Sequence, residues 1–182
     1  MKNRYGIDIW SDDNFFIEDG VVKVNYKPYP SLIKIVKDVR KQGFKGPLLL
    51  RFPHITKKQV KTLFNTFNAS IKEYDYKGKF NAVFPLKVNQ LPNFIHPLVS
   101  YGKKYNYGLE AGSKAELIIA MTYNNMGSPI TINGFKDKEM IHLCFIAKSM
   151  GHDITVIIEG LNELEMILEV LKETKMEAPN VG

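Results

Sequence analysis

Short apolar runs alternate with helical patterns along most of this chain. The runs recur at intervals of roughly 25 residues and begin near Phe80, Tyr105, Pro129, Ile154 and Val181. The segments between them have helical spacing of apolar residues and cover Leu91–Tyr101, Ser113–Tyr123, Asp137–Met150 and Asn162–Lys172. Short apolar runs joined through helices are typical of parallel strands with right-handed crossovers. The pattern therefore predicts an α/β fold.

Two of the predicted helices begin with a capping-box pair, Ser113 with Glu116 and Asn162 with Glu165. The repeat is compatible with a doubly wound sheet or a (β/α)₈ barrel. A complete barrel needs about 250 residues, whereas this chain has 182 and stops where a fifth strand is predicted to enter. We therefore expect either a small open sheet or the first part of a longer barrel protein.

The N-terminal part has a different pattern. Phe15–Ile17 and Val21–Val24 flank a turn that ends in Gly20, which predicts a β-hairpin. Ser31 is a suitable N-cap for a following helix that ends before Gly43. This hairpin and helix define a predicted extension over residues 1–46, followed by the strand–helix region over 47–182.

Two further elements are predicted at the start of the second region. Leu48–Phe52 is a short apolar run introduced by Gly46-Pro47, and we expect it to be a strand. Thr56 with Gln59 forms a capping box for a helix whose apolar face carries Val60, Leu63, Phe64 and Phe67.

Composition narrows the class of protein. A hydrophobic content of 45% suits one soluble domain with a real core. The single cysteine, Cys144, excludes an internal disulfide and fits a reducing compartment such as the cytoplasm. No signal peptide is expected in Met1–Trp10, and no apolar run approaches the roughly 20 residues that cross a membrane.

The net charge of +6 raises the question of nucleic-acid binding. Nearly all of the positive charge is lysine, with arginine only at Arg4, Arg40 and Arg51, and acidic residues interleave with the lysines. Specific phosphate and base contacts usually rely on arginine. We therefore interpret the charge as a solvated surface and expect no nucleic-acid partner.

Lys87 is the first residue with candidate chemistry. It lies in Val83–Gln90, where an apolar run gives way to polar residues. A partly desolvated lysine has a lowered pKa, and its neutral amine forms a Schiff base with an aldehyde. At the C-terminal end of a barrel strand, Lys87 would lie where barrel enzymes carry their sites. The alternative is a strand-end lysine whose ammonium reaches water.

Glu110 ends the next predicted strand, so in a barrel it would share a rim with Lys87. A carboxylate there could orient the lysine or manage its proton. The alternative is an acidic residue favoured near a helix N-terminus.

The remaining polar residues indicate structural roles. Asn133 and Asp137 suit a loop and a helix cap, and Cys144 lies on an apolar helix where core packing is expected. The histidines lack metal-ligand spacing and are interpreted as scattered surface or loop residues: His54, His96, His142 and His152. No Walker loop, nucleophile elbow or zinc spacing occurs.

Several motifs, taken in order, resemble one family. Val83–Gln90 is similar to the cofactor-lysine motif of biosynthetic arginine decarboxylases, and Gly108–Leu117 is similar to that family's next signature. Asn133–Asp137, Lys148–His152 and the start Gly6–Trp10 continue the resemblance over almost the whole chain.

The resemblance implies a pyridoxal phosphate enzyme of the alanine racemase-like fold type, with a (β/α)₈ barrel and an additional β-domain. Such lyases decarboxylate L-arginine to agmatine and carbon dioxide in polyamine and spermidine biosynthesis. The family's cofactor lysine corresponds to Lys87, and an acidic position near it corresponds to Glu110. Residues 47–182 would then be the first, incomplete half of the cofactor-binding barrel, preceded by the hairpin extension.

The resemblance also implies magnesium, for which the sequence indicates no ligands, and a cytoplasmic homo-oligomer, a dimer or tetramer. Phe84 and Phe135 stand where many relatives have tyrosine, so a hydroxyl contact is absent at each position. Family members are several times longer, so this chain alone is expected to be inactive. The alternatives are a related decarboxylase or racemase of the same fold type and a non-catalytic cofactor-binding or truncated α/β module.

Overall fold

The computed structural model describes residues 5–182. The segment in which no signal peptide is expected therefore lies partly outside the described residues. The described residues form two compact units, which divide between Ile55 and Thr56.

The first unit contains the predicted hairpin. It has a short helix α1 (Ile7–Trp10), the antiparallel strands β1 (Phe15–Glu18) and β2 (Val21–Val24), and helix α2 (Leu32–Lys41). Asp19 and Gly20 have positive φ angles of 52° and 74°, as a tight hairpin turn requires. The Ser31 hydroxyl accepts a 3.3 Å hydrogen bond from the Lys34 amide, which confirms the predicted N-cap.

Two predictions at the start of the strand–helix region are wrong. Residues 48–52 form no strand, and Leu49 is 77% exposed, because no neighbouring strand among the described residues pairs with this run. Helix α3 (Pro53–Glu73) begins three residues before the predicted capping box, so Thr56 and Gln59 are inside it. Proline suits a first helical turn because its missing N–H has no intrahelical acceptor there.

The second unit is a five-stranded parallel sheet with one helix after each of the first four strands. The strands are β3 (Val83–Pro85), β4 (Gly108–Ala111), β5 (Pro129–Ile132), β6 (Asp153–Val156) and β7 (Asn180–Val181), in sequential order. The helices are α4 (Pro92–Gly102), α5 (Lys114–Tyr123), α6 (Lys138–Ser149) and α7 (Leu161–Thr174), with a 3₁₀ turn at Lys103–Tyr105. The predicted α/β class is confirmed.

Alternation along the strands explains the core. Leu109, Ile130 and Ile154 are in register on three neighbouring strands, and all three are fully buried. Side chains in register on parallel strands share one face of the sheet. This face packs with buried residues of the helices, including Leu117 and Ile141, in one hydrophobic cluster. No helix in residues 5–182 has the length and apolar character needed to span a membrane.

One predicted helix start is wrong. Helix α7 begins at Leu161 with Gly160 at the N-cap, so the pair Asn162 and Glu165 does not cap it. Glu163 is the third residue of this helix and makes the capping contacts instead. The predicted N-caps Ser113 and Asp137 are confirmed, with their side chains accepting from the Glu116 and Met140 amides.

Candidate functional site at the carboxyl ends of the strands

The loops that follow the strands lie at one edge of the parallel sheet, which we call the rim. It consists of residues 86–91, 110–113, 133–137 and 157–160, which are the loops after the strands together with the last two residues of β4. In open α/β sheets and in barrels, ligands bind at the carboxyl ends of the strands. The predicted site residues are therefore expected at this rim.

Lys87 lies in a turn just after β3. Leu86 is fully buried, and the Val88 amide closes the turn with a 3.1 Å bond to the Pro85 carbonyl. Lys87 itself is exposed, so the premise that it is partly desolvated within a strand is wrong. The strand ends at Pro85, and the turn directs Leu86 into the core instead. An exposed amine at the rim remains accessible to an aldehyde.

Glu110 is in β4 and only 4% exposed. It is in register with Pro85 and Thr131 on the neighbouring strands. One carboxylate oxygen, Oε1, is buried and has no hydrogen-bond partner. Leaving a buried acceptor unpaired costs free energy of about 1–3 kcal/mol or more. This oxygen is thus available to a donor that the described residues do not supply.

The two predicted site residues are on adjacent segments. The Leu86 amide donates a 3.0 Å hydrogen bond to the Glu110 carbonyl oxygen. The residue that immediately precedes Lys87 is therefore fixed to the backbone of Glu110. The predicted common rim of Lys87 and Glu110 agrees with this pairing, while their chemical roles stay predictions.

Glu116 has a larger role than a helix cap. Its amide donates to Ser113 Oγ at 3.2 Å, as the capping box predicts. Its carboxylate accepts from the Gly112 amide at 2.7 Å and from Gln90 Nε2 at 3.0 Å. Glu116 thus connects the Lys87 loop to the loop after β4. The sequence indicates the cap, but the partner Gln90 depends on the pairing of β3 with β4.

Asp137 caps α6, with the Met140 amide donating to Oδ1 at 2.8 Å. Lys114 Nζ lies 2.8 Å from Asp137 Oδ2 and 2.5 Å from Glu139 Oε2. The hydrogen bonds to these two carboxylates raise the pKa of Lys114, and the bond from Lys114 lowers the pKa of Asp137. The structural role predicted for Asp137 is confirmed.

A buried ion pair joins the loops after β5 and β6. Lys136 is fully buried, and its Nζ lies 3.1 Å from Glu163 Oε2. Burial acts to raise the pKa of Glu163, but hydrogen bonds from the Glu159 amide and from Lys136 outweigh it and hold the pKa below its usual range. Both residues were missed in the sequence because they are 27 positions apart.

Cys144 and two histidines are structural. Burial raises the pKa of the Cys144 thiol to about 12, and the predicted core position is confirmed. His152 is 6% exposed, so the surface interpretation is wrong there, and burial lowers its pKa. His54, in the first unit, stacks on Tyr26 at 4.4 Å, and burial lowers its pKa as well.

The described residues offer no cluster of three or more ligands for the magnesium that the resemblance implies. Within 5–182, no group of three or more histidine, cysteine or acidic side chains is arranged to hold a metal ion. No chemical step is therefore assigned to a metal.

Comparison with known proteins finds several biosynthetic arginine decarboxylases. No family model matches the chain. The chain is 36% identical over 179 residues to a biosynthetic arginine decarboxylase from Prochlorococcus marinus and 39% identical over 186 residues to one from Citrifermentans bemidjiense. The crystal structure of the biosynthetic arginine decarboxylase SpeA from Campylobacter jejuni covers 98% of this chain at 59% identity, with a TM-score of 0.95. The predicted resemblance is confirmed.

The match covers only part of these relatives. The chain spans 28% to 30% of the length of these arginine decarboxylases. A diaminopimelate decarboxylase from M. jannaschi has a TM-score of 0.66 at 24% identity, which shows a shared fold alone.

Proposed function

We propose that the complete protein containing this chain is a pyridoxal phosphate-dependent carboxy-lyase that converts L-arginine to agmatine and carbon dioxide. The observation that carries this proposal is the match to the Campylobacter jejuni enzyme over 98% of the chain at 59% identity. The placement of Lys87 and Glu110 at one rim supports it independently, because it brings an accessible amine in the turn after β3 near a buried carboxylate in β4.

We further propose that the parallel sheet is the opening part of a (β/α)₈ barrel, with residues 1–46 as an extension before it. Two observations support the barrel: the strands are in sequential order, and every pairing in this sheet is parallel. The proposal includes a cytoplasmic homo-oligomer that acts in polyamine synthesis.

Lys87 is the residue proposed to hold the cofactor. Lys87 is exposed, so the cofactor aldehyde could reach its amine without rearrangement of the core. Pyridoxal phosphate, when bound, supplies an electron-accepting ring that allows the substrate carboxylate to leave as carbon dioxide. In the reaction, Lys87 Nζ would carry a proton at the rim.

Glu110 is proposed to control that proton. Its Oε1 is buried without a donor, so a cofactor or substrate N–H, or the Lys87 ammonium itself, can complete its hydrogen bonding. Glu110 would thus accept a hydrogen bond from the group that carries this proton.

The test uses the complete protein with pyridoxal phosphate bound. Borohydride reduction followed by peptide mapping is expected to place the pyridoxyl group on Lys87, and Lys87→Ala should abolish this labelling. Lys79→Ala is a suitable control because Lys79 is an exposed loop lysine before β3. Labelling at another lysine would overturn the cofactor assignment.

Agmatine release then separates the alternatives. A decarboxylase should form agmatine and carbon dioxide in equal amounts from arginine. A labelled Lys87 without any product would instead favour a cofactor-binding protein without turnover. Product from another amino acid, but none from arginine, would favour a related decarboxylase of the same fold.

A further inference from the structure

Two glutamates at helix starts hold the rim loops in the same way. Glu116 is the third residue of α5, and its carboxylate accepts from the amide just before the N-cap, Gly112, at 2.7 Å. Its other oxygen accepts from Gln90 Nε2 at 3.0 Å, a side chain of the loop after β3. One carboxylate thus joins two consecutive rim loops.

Glu163 repeats this arrangement with a charged partner. It is the third residue of α7, and Oε2 accepts from the amide just before the N-cap, Glu159, at 2.9 Å. Its contact with an earlier rim loop is the buried Lys136, whose Nζ lies 3.1 Å from the same oxygen. Oε1 also accepts from the Lys136 backbone amide at 3.3 Å.

The loop between these partners is fixed from several directions. Lys136 Nζ also donates to the Gly134 carbonyl, and the Gly134 amide donates to Glu159 Oε1 at 2.6 Å. The Asn133 amide donates to the Ala111 carbonyl at 3.1 Å, directly after Glu110. The segment 133–134 is therefore held beside β4 on one side and the β6 loop on the other.

We infer that Lys136 and Glu163 are a positioning pair that fixes the rim segment 133–134 next to Glu110, so that the proton-handling carboxylate faces a loop of fixed geometry. This inference rests on the proposed function only for its effect on turnover. The pair lies on the core side of the rim, fully or nearly fully buried, so it acts through the loops and not on the substrate itself.

Stability alone does not account for this arrangement. A buried ion pair adds little net stability, since desolvation of both charges offsets their attraction, and two apolar residues often serve as well. Here every contact is also directional: the carboxylate receives two backbone amides, and the ammonium donates to a backbone carbonyl. Apolar replacements would fill the space but would leave these backbone groups without their partners.

The experiment compares single and double variants of the complete protein. Lys136→Met and Glu163→Gln each leave one buried charge unpaired, so each should lower the melting temperature. The double variant K136M/E163Q removes both charges. It should recover at least half of the melting temperature that each single variant loses. A matched control is K138M/E173Q, which removes an exposed pair, 2.6 Å apart, that joins α6 to α7.

Positioning is measured in the double variant, where stability is largely restored. We expect kcat for agmatine formation to fall at least tenfold while KM changes less than threefold, because misplaced groups at a reacting centre reduce the rate. Amide hydrogen exchange of segments 133–137 and 157–163 should accelerate at least tenfold. In the control variant K138M/E173Q, kcat and the amide exchange rates of these segments should each change by less than twofold.

Two results would overturn the inference. One is recovery of both kcat and melting temperature in the double variant. That result would show that each residue of the pair serves only to neutralise the buried charge of the other. The other is unchanged hydrogen exchange in both segments. If the unsubstituted protein formed no agmatine, the proposed function would fail, while the exchange measurement would still decide whether the pair holds the loops.

Discussion

The backbone amide of Leu86 donates a 3.0 Å hydrogen bond to the carbonyl oxygen of Glu110. This bond extends the β3–β4 ladder by one residue beyond the end of β3. The turn that carries Lys87 therefore starts from the backbone of the residue whose carboxylate is proposed to control the proton on Lys87. Substitutions at Glu110 should alter the chemistry without detaching the lysine turn, because the contact is between main-chain atoms.

Glu110→Gln is expected to reduce kcat for agmatine formation by roughly a hundredfold, in the range typical for the loss of a general acid–base group. The buried amide keeps the shape of the side chain but cannot accept or release the proton. Steady-state kinetics of the complete protein tests this, with Glu139→Gln as a control because Glu139 has an 84% exposed side chain. Activity within twofold of the unsubstituted protein would remove Glu110 from the mechanism.

Gly108→Ala should disrupt the sheet. A Cβ at Gly108 would lie 1.9 Å from the Pro129 carbonyl oxygen and 2.8 Å from its carbon, and backbone atoms cannot move aside easily. We expect a loss of about 3 kcal/mol or more in the free energy of unfolding, at the upper end of overpacking effects. Gly112→Ala is the matched control, since its nearest neighbour would be Glu116 Oε2 at 3.5 Å. Equal melting temperatures for the two variants would contradict the close approach of β4 and β5.

Cys144 should resist alkylation in the folded protein. With a pKa of about 12, its thiolate fraction at pH 8 is far below that of a free cysteine, so reaction with iodoacetamide should be roughly a thousandfold slower. Mass spectrometry after timed labelling measures this, and the same protein in denaturant provides the rate of the accessible thiol. Complete labelling within minutes under native conditions would show that the α6 core opens readily.

His152 predicts a specific pH dependence of stability. Burial lowers its folded-state pKa below the ordinary 6.5, so the unfolded state binds the proton more readily. Its contribution is fully present above pH 6.5 and is lost as the pH falls toward the folded-state pKa. The melting temperature should therefore fall between pH 7.5 and 5.5, and it should fall by less in His152→Gln. Burial also lowers the pKa of His54, so His54 contributes a pH dependence of the same sign. If the melting temperature of His152→Gln fell with pH as steeply as that of the unsubstituted protein, the effect would belong to groups other than His152.

Local sequence rules predicted elements where the signal is contained in a few residues. The hairpin at Asp19-Gly20 and the caps at Ser31, Ser113 and Asp137 are examples, since each depends on a single turn of backbone. The run Leu48–Phe52 shows the limit of such rules, because an apolar run becomes a strand only beside a partner.

The candidate site was predictable only in part. Strand periodicity placed Lys87 and Glu110 at one rim, but it did not predict that β3 ends before Lys87 and leaves that residue exposed. The link between Lys136 and Glu163 was missed because it connects loops of adjacent strands. Such contacts depend on sheet register, which a single sequence does not specify.

The sequential order of the parallel strands has a consequence for how the protein is made. Each strand pairs with the next at positions 21 to 25 residues apart along the chain, so every pairing in this sheet is local in sequence. Loops of this size are short for parallel pairing, which always needs a crossover of a dozen or more residues. During synthesis, each new strand can therefore dock on the strand made before it as soon as the intervening helix has left the ribosome. The sheet can grow in the direction of translation, and the rim is assembled one loop at a time.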